Sequence, residues 1–107
     1  MNKTELLKSL KPSEYRVMLL IRDYLNETGY HGFTYNGIKQ YAYKTGFYRE
    51  YSDRTLDRTI RKLAEYGFLD RIVKPSIKNP RRNVVVFYPT PKFWAVVEER
   101  KHLLDDG

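Results

Sequence analysis

Three arginines recur at helical spacing in the stretch YSDRTLDRTIRKLAEYGFLDR, which covers residues 51–71. Arg54, Arg58 and Arg61 are four and three residues apart, so a helix would place them on one side. A guanidinium donates a planar fork of hydrogen bonds, which suits the O6 and N7 atoms of guanine or the oxygens of a phosphate. This spacing therefore indicates recognition of an anionic polymer such as nucleic acid, rather than the making or breaking of bonds.

A second series of side chains predicts how such a helix would be held. At about 100° per residue, Leu56, Ile60 and Leu63 fall within one narrow arc. With Leu56 set at 0°, the cations fall at about 140° to 240°, on the opposite side of the helix. An ordinary amphipathic helix with a merely solvated charged face has the same pattern. Asp57 is expected to form an ion pair with Arg61 four residues on, although a carboxylate there could also accept a hydrogen bond from cytosine N4.

The charge of the whole chain agrees with the nucleic-acid interpretation. Its 107 residues carry a formal net charge of +7, and residues 49–92 hold 11 Lys/Arg against 5 Asp/Glu. Hydrophobic residues make up 41% and charged residues 31%, which indicates one globular domain over residues 1–107 rather than a disordered chain. Nucleic acid is the commonest partner for a small basic domain, and an anionic membrane surface is the second candidate.

Other kinds of chemistry find no support in the sequence. There is no cysteine, and the two histidines, His31 and His102, have no metal-like spacing. No serine has a visible His and Asp partner, no glycine-rich phosphate loop occurs, and Glu98 with Glu99 is typical of a solvated helix face. We therefore expect no enzyme, no metal and no other cofactor. Without a signal peptide or a membrane-length apolar run, no membrane association and a cytoplasmic location are expected.

Periodicity and capping residues predict the helices that position the arginines. Helices are expected over residues 13–27, 35–44 and 53–66, with N-terminal caps at Ser13, Thr34 and Ser52. Glycines just past each end are the expected terminators: Gly29, Gly46 and Gly67. Residues 30–33 are expected to form a short extended segment between the first two helices.

The period changes after the third predicted helix. Residues 68–73 and 83–88 favour strands, and the connection KPSIKNPRRN predicts a long hairpin with a basic tip, turning at Asn79 and Pro80. A final helix is expected over residues 92–104. The order of elements is thus helix, short strand, two helices, two strands and a last helix.

The stretch from Thr55 to Arg71 resembles the third helix and following strand of winged helix-turn-helix transcription regulators of the MarR, ArsR and PadR type. Their pattern is Thr-apolar-x-x-x-apolar-x-x-Leu-x-x-x-Gly-apolar-apolar-x-Arg, and the matching residues are Thr55, Leu56, Ile60, Leu63, Gly67, Phe68, Leu69 and Arg71. The order of elements over residues 13–88 is similar too. The resemblance implies an α+β, mostly α fold with a three-helix core, a two-stranded wing hairpin and an extra C-terminal helix, and it extends to small archaeal, viral and plasmid proteins.

The resemblance also implies a function, namely sequence-specific binding of double-stranded DNA by a transcription regulator that acts as a homodimer. Its major-groove residues would be Ser52, Arg54, Thr55, Arg58, Arg61 and Lys62. On the wing, Lys78, Arg81 and Arg82 would reach the minor groove or the backbone. The C-terminal helix, residues 92–104, would either complete the core or build the dimer, through Phe93, Trp94, Val97 and Leu104.

Two other functions stay open at this point. A small stand-alone winged helix can serve in replication or DNA architecture for a virus or plasmid, where low sequence preference and a steep salt dependence are expected. A winged helix can also be a protein-interaction module, although a basic stripe on the third helix disfavours this. The chain departs from the family in two places: residues 47–51 form a longer, more aromatic loop, in which Tyr48 or Tyr51 could contact a phosphate, and Gly37 replaces a better helix former.

Overall fold

The computed structural model describes the backbone of residues 10–105 and the side chains of residues 10–98. This part of the chain is α+β and mostly helical, with four α-helices and one antiparallel two-stranded hairpin. A short 3₁₀ turn, Phe47–Arg49, lies between the second and third helices. The elements in chain order are α1 (Pro12–Thr28), α2 (Tyr35–Thr45), α3 (Asp53–Glu65), β1 (Leu69–Pro75), β2 (Asn83–Pro89) and α4 (Pro91–Asp105). No helix in these residues has the length and apolar character needed to cross a membrane.

The predicted helices and strands are confirmed to within two residues at each end, but two local details differ. Helix α1 begins at Pro12, with Lys11 rather than Ser13 as its cap residue, because the fixed φ of proline suits the first helical position. The segment 30–33 is not a strand in its own right. Its pairing is one isolated bridge, in which Phe33 and Phe87 exchange backbone hydrogen bonds of 2.9 and 2.8 Å.

The helix ends follow from local chemistry that the sequence displays. The hydroxyl oxygens of Thr34 and Ser52 accept hydrogen bonds of 3.1 Å from the backbone N–H groups of Gly37 and Thr55, which confirms both as caps. The predicted terminating glycines all adopt the left-handed conformation, with φ of 76°, 84° and 83° at Gly29, Gly46 and Gly67. The last of these reverses the chain from α3 into β1.

The hydrophobic core lies between the helices and the base of the hairpin. Leu56, Ile60 and Leu63, the apolar stripe of α3, are 0% exposed, as the spacing predicted. Helix α1 meets them with five buried aliphatic or thioether side chains: Val17, Met18, Leu20, Ile21 and Leu25. Burial of a side chain of this size contributes about 1.5–3 kcal/mol, so the stripe holds α3 in one rotation about its axis.

Helix α4 completes this single-chain core. Phe93 and Val97 are 0% and 1% exposed, so the prediction that they belong to a dimer interface is corrected: their surface is already covered within one chain. Trp94 is half-buried, with its ring 5.1 Å from that of Phe93 in an edge-on arrangement. The side chain of Leu104 lies outside the described residues. Of the two alternatives for this helix, core completion holds for the described part.

The hairpin projects from the body as a two-stranded ribbon. Its register runs from Leu69 opposite Pro89 to Pro75 opposite Asn83. Every residue of β1 after Leu69 is exposed, and a seven-residue strand spans about 23 Å. The base is held by the buried Leu69 and Phe87, so the far end stands free of the helices.

Candidate nucleic-acid interface

The three arginines of α3 lie on the side opposite to its buried stripe. Arg54, Arg58 and Arg61 are exposed, and none forms an ion pair with another described residue. At 1.5 Å per residue the row extends about 10 Å along the helix, close to the rise of three base pairs. The same side chains border a shallow groove of about 390 Å³ together with Asp53 and Asp57. The outward placement predicted for the arginines is confirmed.

The first turn of α3 is set by two hydroxyl groups. Ser52 Oγ and Thr55 Oγ1 lie 3.0 Å apart, and Ser52 Oγ also accepts from the Thr55 backbone N–H. Ser52 is exposed, whereas Thr55 and, two turns later, Lys62 are half-buried. Apart from the capped one, the N–H groups at the start of a helix have no partner within the helix, so they suit an anion.

The aromatic loop before α3 is a packed turn. Phe47 is 0% exposed, and its ring lies 5.5 Å from that of Tyr51. The guanidinium of Arg16, from α1, lies 5.4 Å from the centre of the Phe47 ring and is 3.3 Å from the Glu50 carboxylate. The loop is therefore anchored to the body of the protein, and its extra length does not leave the start of α3 loose.

Lys39 of helix α2 pairs with both carboxylates at the start of α3 and offsets part of their charge. Its Nζ lies 3.2 Å from the Asp57 carboxylate and 3.6 Å from that of Asp53. The predicted pair between Asp57 and Arg61 is therefore wrong. Asp57 lies on the flank of α3 that meets α2, where helix packing brings a lysine to it. As a result the arginines keep their charge free for a ligand.

The neighbouring carboxylates stabilise the charged form of Lys39. Burial by itself would lower the pKa of its ammonium group, but the hydrogen bond and charge of Asp57, followed by those of Asp53, raise the pKa above its ordinary value. The sequence analysis did not identify this lysine as functional. It precedes Asp57 by 18 residues, and no periodicity within one element relates two positions so far apart.

The Tyr48 hydroxyl donates a 2.7 Å hydrogen bond to the Asp53 carboxylate. Burial, and then this bond and the charge of Asp53, raise the pKa of Tyr48 well above its ordinary value. The hydroxyl is thus engaged within the protein, where it helps to hold the first turn of α3. This contact accounts for Tyr48 more directly than the phosphate contact considered from the sequence.

The hairpin tip, residues 76–82, is an ordered turn that carries exposed cations. The Arg82 N–H donates to the Asn79 carbonyl at 2.9 Å, which confirms the predicted turn at Asn79 and Pro80. The Asn79 side chain accepts from the Arg81 N–H at 3.2 Å. The three cations assigned to the tip are all exposed and form no ion pair within the described chain: Lys78, Arg81 and Arg82.

A groove of about 610 Å³ lies between α3 and the base of the hairpin. Arg61 lines it from α3 and Arg71 lines it from β1, so the exposed face of the helix and the hairpin border one depression. The other lining residues are Tyr35, Lys39, Asp57, Ala64, Glu65 and Phe87. Although Arg71 belongs to the sequence motif, its place beside Arg61 emerges only when the chain reverses at Gly67.

Comparisons of the chain with models of protein families, with curated proteins and with solved structures gave no match. Within the described residues, no three His, Cys, Asp or Glu side chains come together in a way that could hold a metal ion. The functional conclusion therefore depends on the geometry and charge of the chain itself. Its two exposed cationic sets, on α3 and on the hairpin tip, have no ion-pair partner among the described residues.

Proposed function

We propose that this protein is a winged-helix protein that binds double-stranded DNA, with α3 as the recognition helix and the hairpin as the wing. The observation that carries the proposal is that unpaired arginines on α3 and cations on an ordered hairpin tip belong to elements bordering one groove. The observed element order is compatible with a winged helix. The resemblance of residues 55–71 to MarR, ArsR and PadR regulators supports the same interpretation.

In the proposed complex α3 lies in the major groove, which is about 12 Å wide and admits one helix. Arg54, Arg58 and Arg61 meet the edges of about three successive base pairs or the adjacent phosphates. A well-placed arginine fork on guanine contributes about 1–3 kcal/mol of discrimination against another base. Because the opposite side of α3 is locked in the core, the helix presents this row in a single orientation.

The hairpin makes the second proposed contact with DNA, beside that of α3. Its strands carry the tip about 23 Å from the base, far enough to reach past the groove that holds the helix. Lys78, Arg81 and Arg82 then bind phosphates or enter the minor groove, where arginine is favoured at narrow A·T-rich stretches. Contacts of this kind position the protein and make the affinity depend steeply on salt.

The biological role that fits this arrangement is a transcription regulator without catalytic activity, acting as a homodimer on two half-sites about one helical turn apart. With Phe93 and Val97 used in the single-chain core, the accessible part of Trp94 remains available to a dimer. Sedimentation equilibrium decides between monomer and dimer.

A binding titration against random and selected duplexes at several salt concentrations tests the DNA-binding proposal. We expect binding to both at low salt and a clear preference for the selected duplex at higher salt. Arg58→Ala should relax the preference at one base pair by about 1–3 kcal/mol. Lys44→Ala is the control, since it removes one positive charge from a 75% exposed position at the end of α2, outside both cationic sets.

The same titration discriminates between the rival functions. Equal affinity for all duplexes with a steep salt slope would indicate an architectural or replication protein of a virus or plasmid. An absence of binding even at low salt would overturn the DNA-binding proposal and favour a winged-helix protein-interaction module.

A further inference from the structure

The hairpin tip carries an apolar side chain that nothing in the described chain covers. Ile77 is 100% exposed, more than any other large hydrophobic residue in that part of the protein. Removing an isoleucine from water is favourable, and the folded chain makes no use of this contribution here. Ile77 is thus available to a partner, and its position at the end of a projecting ribbon makes it one of the first groups to meet one.

The tip holds Ile77 in a defined place. The Ser76 N–H donates to the Arg82 carbonyl at 2.8 Å, which closes the loop directly beside Ile77. Ser76 Oγ accepts from the Asn79 N–H at 3.4 Å, and Pro75 precedes the loop at the end of β1. Since isoleucine is also branched at Cβ and therefore stiff about χ1, little conformational freedom is lost when it inserts into a partner.

The surroundings of Ile77 specify what kind of partner fits. Between Asp70 and Glu98 the sequence contains no acidic residue, and the tip itself presents Lys78, Arg81 and Arg82. A partner must therefore have an anionic exterior and an apolar interior within one side chain's reach. Duplex DNA has both, because stacked bases lie directly behind two rows of phosphates.

We infer that Ile77 is a wedge that enters between two base pairs from the minor groove, while the cations of the tip bind the flanking phosphates. The inference rests on the proposed DNA binding and adds a partly unstacked, bent duplex to it. Apolar side chains inserted in this way kink DNA by about 20–90° toward the major groove. Pyrimidine–purine steps unstack most easily, so the wedge favours a TA or CA/TG step at a fixed distance from the bases that meet α3.

An anionic membrane is the rival partner for an apolar tip ringed by cations. It is the weaker candidate because one isoleucine buries too little apolar surface for stable attachment to a bilayer, where even a single myristoyl chain binds only marginally. A bilayer surface also gives no reason for the regular spacing of the arginines on α3.

The experiment uses the full chain and selected duplexes that carry 2-aminopurine at successive positions beside the α3 site. The fluorescence of 2-aminopurine rises when its base unstacks, and energy transfer between dyes at the two ends reports the bend. The native protein should raise the fluorescence at one step and shorten the end-to-end distance. Ile77→Ala should abolish both signals and weaken binding about ten-fold, while the arginine-dependent sequence preference persists.

Ile72→Ala is the matched control, because it makes the same truncation at a side chain that is 42% exposed on β1, away from the tip. It should leave the fluorescence and the bend at native levels. Ile77→Ala should fold like the native protein, since Ile77 contributes no buried surface, and Ile72→Ala should fold because it truncates only a partly buried side chain on an exposed strand. Native far-ultraviolet circular dichroism and an unchanged melting temperature for Ile77→Ala would establish that its effect is local.

The outcomes separate this inference from the proposed function. If the native protein binds duplexes without a fluorescence change, or if Ile77→Ala binds with the native change, the wedge is overturned while DNA binding stands. If no duplex binds at low salt, both fall together. Binding of native protein, but not of Ile77→Ala, to phosphatidylserine vesicles, with no unstacking of DNA, would overturn the wedge and assign the tip to membranes.

Discussion

Lys39 Nζ lies 3.2 Å from the Asp57 carboxylate and so joins the second helix to the third. This contact pairs Asp57, which is four residues from Arg61, with a cation from another helix. Without it, the carboxylates of Asp53 and Asp57, which border the same groove as the arginines of α3, would have no lysine partner. Lys39 is therefore a positioning residue for the proposed interface, acting through the charge balance of α3.

The variant Lys39→Met should weaken DNA binding several-fold, because a freed Asp57 can pair with Arg61 and compete with the ligand. Its cost in folding stability should be about 1 kcal/mol or less, since these pairs are partly exposed. Lys44→Met removes the same charge from a 75% exposed position on the same helix and should have a smaller effect on binding. Adding Asp57→Asn to Lys39→Met should restore part of the affinity. Equal effects of both lysine variants, with no rescue, would contradict this role.

The two cationic sets should differ in how they respond to salt and to sequence. Arg82→Ala removes a proposed phosphate contact at the tip. The fall of log K with log salt should therefore become shallower by about one unit of slope, and sequence preference should stay almost unchanged. Arg58→Ala should instead change the preference. Titrations of both variants against a selected duplex and its single-base variants provide the test, and a shared pattern of loss would refute the division of roles.

Ser52→Ala should lower the free energy of unfolding by about 1 kcal/mol, because it removes the cap from the first turn of α3. A change of that size corresponds to about 4–8 °C in the melting temperature of a domain near this length. Ser13→Ala is the control, since Ser13 is not a cap and follows Pro12 inside α1. Thermal melts followed by circular dichroism should therefore separate the two serines, and equal melting temperatures would argue against the cap.

Gly32→Ala should destabilise the protein by about 1–3 kcal/mol through overpacking. A Cβ at Gly32 would lie 2.8 Å from the backbone oxygen of Phe87 and 2.8 Å from the Tyr88 ring, so β2 would have to shift. Gly37→Ala makes a useful comparison. Its Cβ would lie 2.6 Å from the Tyr24 hydroxyl, the far end of a side chain, and alanine's higher helix propensity offsets part of the strain. Urea unfolding should show the larger loss at Gly32, and the reverse order would contradict this packing.

Stability should fall in alkaline solution partly through Tyr41. Burial and then the neighbouring Glu27 raise the pKa of Tyr41 from 10.0 to about 12. Above pH 10 the unfolded chain loses this proton first, so the native state binds more protons and the free energy of unfolding decreases as pH rises. The contribution is complete below about pH 10 and is lost by about pH 12. Tyr41→Phe should therefore show a shallower decline than the native protein between these values in urea titrations, and parallel curves would exclude the effect.

The sequence by itself determined the features that depend on neighbours within one or two turns of chain. Helical spacing put Leu56, Ile60 and Leu63 on one side of α3 and its arginines on the other. Caps at Thr34 and Ser52 and the three terminating glycines follow from hydrogen bonds and backbone angles inside a few residues. The basic turn at Asn79 and Pro80 is equally local. These signals were sufficient for the element order and for the outward placement of the cations.

Tertiary structure decided whatever required partners distant in the sequence. Asp57 had Arg61 within reach on its own helix, but packing of α2 supplied Lys39 instead. Phe93 and Val97 had apolar spacing that served a core or a dimer equally well, and burial against the other elements assigned them to the core. Local spacing specifies which side chains share a face, whereas the identity of what covers that face is settled only when the elements pack. Ile77 differs from these residues, because packing leaves its side chain fully exposed. Its exposure is the reason for proposing a contact with a partner.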